Sequence, residues 1–353
     1  MIAKLAGRIV VLTTCALLLP NAVVPAAELA IGSAAFVLPM VDPQTASEHS
    51  ARPAVATAVT VSADGTMVAA GGDDHFVRVW DTRTGERIAR LEGHQDWVRG
   101  THFSPNGQQL ASVGNDGALR VWNPLSGVEM KDKLRTGNRP LSSVAFHPDG
   151  RHVLTVGFRT PMQMFNLTGS EPSIDYTCAC EDTRCVAVSK EGRLAAAAGR
   201  NGRLRVWDLE TGLPAMADVP ADTQRIYSVV FSPNGQMIAT GGDGRRIRFW
   251  SLEDGELLAE MSTGGVKIRS MLFLNSEQLV VGGVDNSISV WSISSRLPTH
   301  RLIGHTGAVA GLASDASGKI VASASYDTTV RIWQLGQPDP ARAAAVEKPT
   351  PLR

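Results

Sequence analysis

The chain has 353 residues, 34 Lys plus Arg balanced by 34 Asp plus Glu, and a formal charge of zero, so no broad basic face drives it to nucleic acid or anionic lipid. Hydrophobic residues make up 43%, an ordinary fraction for a packed core, whereas aromatics are only 5%. Length alone suggests two domains, but the internal pattern overrides that prior.

Lys4 and Arg8 precede an apolar run at 9–19, IVVLTTCALLL, and the small residues Val24, Pro25, Ala26 and Ala27 follow before the first acid, Glu28. This is the layout of a secretory signal, too short to span a bilayer comfortably. Residues 1–26 are therefore expected to be a signal peptide cut after Ala26, with an uncleaved anchor as the alternative. Cleavage removes Lys4 and Arg8 and leaves the remainder two charges acidic. Cys15 follows Thr14, bulkier than a lipoprotein signal normally allows. The mature chain is expected to be periplasmic or secreted, without stable membrane insertion.

Downstream, one segment recurs seven times: VRVWD (77–81), LRVWN (119–123), MQMFN (162–166), LRVWD (204–208), IRFWS (247–251), ISVWS (288–292) and VRIWQ (330–334). Its aromatics are Trp80, Trp122, Phe165, Trp207, Trp250, Trp291 and Trp333, at steps of 42, 43, 42, 43, 41 and 42 residues. Within one period, Gly93 and His94 open the unit. Alternating strands follow at 98–103, 110–113 and 119–122, separated by Ser104-Pro105-Asn106-Gly107 and Gly114-Asn115-Asp116-Gly117. Pro pre-sets the turn backbone and Asn-Gly supplies positive φ. A period of roughly 40–45 residues holding four short strands predicts an all-β, seven-bladed β-propeller. Blade seven runs out of sequence after three strands, and 36–41, FVLPMV, is the unassigned apolar segment upstream. We expect it to supply the missing outer strand, with Pro39 tolerated at an edge. The propeller is thus expected over 27–336, and 337–353, rich in Pro, Ala and charge, reads as a disordered tail.

These motifs resemble the WD-repeat β-propeller family over about residues 50–336. Gly-His occurs at Gly93-His94 and Gly304-His305, and Trp-Asp at Trp80-Asp81 and Trp207-Asp208. The resemblance implies a buried network of loop His, strand Ser, turn Asp and strand Trp. Two blades match it completely, through His94, Ser112, Asp116 and Trp122, and through His305, Ser323, Asp327 and Trp333. Arg159 and Gly244 replace the turn Asp in blades three and five, which should be more loosely tied.

No H-E-x-x-H, G-x-S-x-G, P-loop or dinucleotide fingerprint is present, and nothing calls for a metal or cofactor. His94 with Asp116 and His305 with Asp327 take structural roles under the resemblance, and the other histidines are scattered. Gly71-Gly72-Asp73-Asp74 and Gly241-Gly242-Asp243-Gly244 read as tight turns. The arginines two residues before the aromatics read as packing positions with solvated head groups. Cys178, Cys180 and Cys185 are expected to give one disulfide in an oxidising compartment, with the third thiol free or paired between chains. The positions before each turn Asp (Asp73, Asn115, Phe158, Arg200, Asp243, Val284, Tyr326) and before the first strands (Trp97, Arg225, Lys267) should ring one mouth. Among them Trp97, Phe158, Arg200 and Tyr326 give the aromatic-plus-Arg mixture of interface hot spots. The expectation is a scaffold for an unidentified protein or peptide, not nucleic acid. The alternatives are a propeller enzyme or a small-ligand sensor with its site at the central channel.

Overall fold

The computed structural model describes residues 30–41, 53–135, 138–169, 172–176 and 182–335. The expected signal peptide, the tail, Cys178 and Cys180 lie outside the described residues. Alternation of apolar and polar residues, punctuated by turn-formers, gives seven antiparallel sheets and no helix among the described residues. The inner strands of blades one to seven are Ala56–Val61, Val98–Phe103, Leu141–Phe146, Thr183–Val188, Ile226–Phe231, Ile268–Asn275 and Val309–Ser314. Second, third and outer strands follow in order within each sheet.

The ring closes as the sequence predicts. Phe36–Pro39 pairs antiparallel with Thr329–Gln334, matching Phe36 with Ile332 and Leu38 with Val330. The strand is shorter than the expected 36–41: its register ends where Pro39 faces Thr329, and one further bond, from the Met40 amide to the Thr328 carbonyl, follows it. A second segment was not foreseen: Ala30–Gly32 adds parallel to Leu297–Leu302 and gives blade six a fifth strand.

Packing lies between blades rather than inside them. Seven clusters of buried apolar residues each draw on two adjacent sheets. The cluster joining blade seven to blade one contains Leu38 and Met40 of the closing segment, Val330 and Ile332, and Val68 and Trp80. All seven repeat aromatics are buried, from 1% exposed at Trp122 and Trp333 to 9% at Phe165. The recurrence of the aromatic is thus a packing requirement, repeated once per blade-to-blade seam.

Candidate functional site

The mouth of the ring is built by one irregularity repeated seven times. In every blade the pairing of inner and second strands slips by a residue near the start of the inner strand. The unpaired residues are Thr57, Arg99, Ser142, Arg184, Tyr227, Arg269 and Ala310. A β-bulge bends its strand and re-aims the extra side chain. All seven residues line one cavity of about 200 Å3 at this end of the ring, joined there by Tyr326. The second strand ends in glycine opposite most of these slips because the inner-strand backbone comes too close for a Cβ. At Gly114 that atom would lie 2.8 Å from the Trp97 carbonyl, and at Gly199 it would overlap the Asp182 carbonyl.

A second repeated contact sets the outer part of the mouth. The amides of Asp73, Asn115, Phe158, Arg200, Asp243, Val284 and Tyr326 donate to the carbonyls of Val55, Trp97, Pro140, Asp182, Arg225, Lys267 and Ala308. The two sets of positions expected to ring the mouth are therefore clasped in pairs, one pair per blade. Trp97, Phe158 and Tyr326 are 43, 39 and 45% exposed, and Arg200 is exposed as well. They do not gather into one cluster: each stands in its own blade, and only Tyr326 of the four lines the cavity.

The bulge residues escaped the sequence reading. Arg99, Arg184 and Arg269, from blades two, four and six, are half-buried. Arg184 holds Asp182 through both oxygens at 2.7 and 2.9 Å. Arg269 lies over the Tyr227 ring at 4.1 Å, and the Tyr227 hydroxyl accepts from Arg225 at 2.8 Å. Burial holds the Arg99 guanidinium below its usual value; Tyr326 opposes that shift and the charges of Arg184 and Arg269 add to it. The three cations thus act on one another across the mouth. A larger cavity, about 700 Å3, opens from the other end of the ring, lined largely by small and apolar residues with His102 and Lys190. Among the described residues no Asp or Glu lines either cavity.

The two complete networks stand in the blade walls. In blade two, Trp122 Nε1 donates to Ser112 Oγ at 2.8 Å, Ser112 Oγ meets His94 Nε2 at 2.8 Å, and His94 Nδ1 lies 3.0 Å from Asp116. Asp116 also accepts from the amides of Gln95 and Ala118. Burial pushes its carboxyl upward, but these hydrogen bonds and the His94 contact outweigh it and bring the value down to about 2. Blade seven repeats the chain through Trp333, Ser323, His305 and Asp327, at 2.9, 2.7 and 2.8 Å. With their donors and acceptors occupied inside the wall, these pairs are arranged for support rather than proton transfer.

Three expectations are corrected. Blade five is not loosely tied: the loop position that holds His94 in blade two holds Asp222, whose carboxylate lies where a Cβ at Gly244 would stand. Arg248 pairs with Asp222 at 2.6 Å, and Trp250 keeps its bond to Thr240 at 3.0 Å. The acid has moved from turn to loop, and an arginine replaces the histidine. Second, three of the five recurring arginines do not carry solvated heads. Arg78, Arg120 and Arg205 are 3, 6 and 9% exposed, and pair with Asp74, Glu129 and Asp218 at 2.6, 2.6 and 2.8 Å. The partner acids lie in the adjacent turn, outer strand or loop, so these three charges are neutralised within their own blades. Third, His147 and His152 are not merely scattered. The turn of blade three brings them to Asp149, with three ligand-type atoms within 4.8 Å of one another. His147 Nε2 donates to the Gly192 carbonyl and Asp149 lies 3.0 and 2.6 Å from the two Nδ1 atoms.

Of the three candidate disulfide cysteines, Cys185 is a free, buried thiol, its Sγ 3.4 Å from the Ala198 carbonyl. Burial pushes its thiol up to about 12, which disfavours the nucleophilic thiolate. Among the described residues no helix is long and apolar enough to cross a membrane.

Comparison with known proteins agrees with this architecture. The family described as "WD domain, G-beta repeat" matches residues 43–81, 85–123, 173–208, 217–251 and 296–334, together just over half of the chain. The matches end on the third strands of blades one, two, four, five and seven. The first three strands of blades three and six, with Phe165 and with the shortened Asn275-Ser276-Glu277 turn, lie outside the matched residues. Among curated proteins, the chain is 26% identical to the transcriptional corepressor LEUNIG_HOMOLOG of Arabidopsis thaliana over 77% of its own length and 34% of that protein. It is 26% identical to the nuclear distribution protein nudF of Aspergillus terreus, over 77% of this chain and 57% of the relative. It is 25% identical to cell division cycle 20.1, cofactor of APC complex, of Arabidopsis thaliana, over 77% and 62%. The chain therefore spans between a third and two thirds of these relatives.

Proposed function

The chain belongs to the WD-repeat family of β-propellers, and from that premise we propose that it is a non-catalytic scaffold binding a protein or peptide across the mouth described above. One observation carries this reading. Trp97, Phe158 and Tyr326 stand in water at 39 to 45% exposure, on backbone fixed by the clasps, while every repeat aromatic is buried. Large flat side chains bury much area at little entropy cost, and Arg200, exposed on another blade of the same mouth, adds directional hydrogen bonds. The relatives' names, a corepressor, a nuclear distribution protein and a cofactor of a complex, support a regulatory binding role for the fold. The N-terminal pattern at 1–26 supports action in the periplasm or another secretory space.

The test is affinity capture from the exported fraction of the native host with wild type and with Trp97→Ala combined with Arg200→Ala. The double variant is expected to lose the partner while its circular-dichroism spectrum and Tm stay unchanged. Full capture by a folded double variant refutes the surface. Intact-mass analysis of protein from the same host is expected to show a chain beginning near Ala27. A product retaining Met1 to Pro25, or one confined to the cytosol, overturns the localisation.

A further inference from the structure

Resting on the mouth as a binding surface, we infer that its centre is an oxyanion site: Arg99, Arg184 and Arg269 receive the carboxylate or phosphate groups of an acidic peptide segment.

The geometry argues this in three steps. First, the bulges aim one arginine inward from each of blades two, four and six, so the cations enclose the cavity from three sides. Elsewhere, Arg78, Arg120, Arg205 and Arg248 of the blade walls meet carboxylates. Here, among the described residues, Asp182 on Arg184 is the recorded carboxylate partner, and Arg99 and Arg269 have none. Unneutralised cations facing one another cost stability, a cost that an anion between them removes. Second, the site is pre-organised. Tyr227 fixes the Arg269 guanidinium, whose buried Nε has no partner, and Ser142 and Tyr326 add hydroxyl donors to the wall. A wall that carries three guanidinium groups and hydroxyls able to donate, with no Asp or Glu among the described residues, suits an acceptor-rich guest. Third, a cavity of about 200 Å3 admits a side chain or one phosphate, not a folded domain. The exposed aromatics outside it offer contacts to the flanking residues of an extended chain. A small pocket at the mouth suits a peptide better than a nucleic-acid strand, which needs a basic track along its backbone.

The experiment is fluorescence anisotropy with the full chain and a labelled oligo-glutamate peptide, an oligo-glutamine control and an oligothymidylate. The glutamate peptide is expected to bind with an affinity that falls as salt rises, and inorganic phosphate should compete. The glutamine peptide should not bind. Arg99→Gln with Arg269→Gln is expected to weaken glutamate binding by at least roughly tenfold, and to leave Tm unchanged or higher because mutual repulsion is relieved. Arg83→Gln, at a side chain 87% exposed outside the mouth, should change nothing. Equal binding by wild type and the double variant, equal loss with Arg83→Gln, or tighter binding of the oligothymidylate overturns the proposal. If phosphate alone raises the Tm of wild type, but not of the double variant, while no peptide binds, the site is for a free small anion and the peptide assignment fails. Partner capture that depends on Trp97 and Arg200 but survives Arg99→Gln with Arg269→Gln rejects the oxyanion site and leaves the scaffold reading standing.

Discussion

At the scale of single residues, the same chemistry serves two ends according to what faces it. His94 and Asp116 resemble an acid–base pair, yet Ser112, Trp122 and two backbone amides occupy their remaining hydrogen-bonding capacity. Asp116→Ala or Asp327→Ala leaves buried donors without an acceptor, and is expected to cost about 1–3 kcal/mol in denaturant unfolding. His75→Ala, at a turn position outside the networks, should cost much less; equal losses at the three sites contradict the roles assigned. The pH dependence follows from the same contacts. Asp116, held down to about 2 in the fold, contributes stability that is present above its unfolded value of about 3.9 and is lost as pH falls toward 2. His305 is held below its ordinary value by burial, opposed by Asp327, so its contribution begins to fall once pH drops below about 6.5. Tm followed from neutral to acid pH should therefore decline first gently and then steeply. Asp116→Asn should flatten the steep part, and an unchanged profile argues against the linkage.

At the scale of strands and turns, what was legible in the sequence is what depends on local pattern. Alternation and turn-formers located the strands, and the missing fourth strand of blade seven pointed to Phe36–Pro39. Trp97, Phe158, Arg200 and Tyr326 were legible as positions around one mouth because the period of the repeat fixes them. The bulge was not, since a slip of one residue leaves the alternation of the inner strand almost undisturbed. Its trace was the glycine ending the second strand, which reads equally well as a turn-former. Nor was the exchange in blade five visible, because Asp222 and Gly244 lie 22 residues apart and are meaningful only as a pair. The Ala30–Gly32 strand carries too few apolar residues for any periodicity. The bulge makes a prediction of its own. Gly199→Ser places a Cβ on the Asp182 carbonyl and should cost about 1–3 kcal/mol or more. In blade seven the equivalent residue is already Ser325, bonded to the Gly307 carbonyl at 2.8 Å. Ser325→Gly should cost about 1 kcal/mol. Thermal melts that reverse this order would remove the explanation offered for the glycines.

At the scale of the whole molecule, closure decides how the parts share stability. An open array of repeats leaves an apolar face at each end and needs caps. Here each apolar face meets a neighbour, and the last seam is made by the first part of the chain. Leu38 and Met40, 3 and 1% exposed, bury their side chains against strands of blade one, which follows them in the chain, and of blade seven, which lies almost three hundred residues away in sequence. Removing them does not merely trim an edge. It deprives the outermost ladder of blade seven of its partner and opens the Trp80 cluster to water. Each fully buried apolar side chain of this kind is worth about 2–5 kcal/mol when truncated to alanine. Deletion of residues 27–45 is therefore expected to reduce folded yield sharply. Calorimetry should replace one cooperative transition by a lower, broader one that begins at the seam of blades seven and one. Leu38→Ala should lower Tm in the same direction by less. A deletion protein that melts as the intact one does would show that the ring holds without its closing strand. The mouth would then have to be regarded as an arc of independent blades, and the facing of Arg99, Arg184 and Arg269 across one cavity would lose its structural basis.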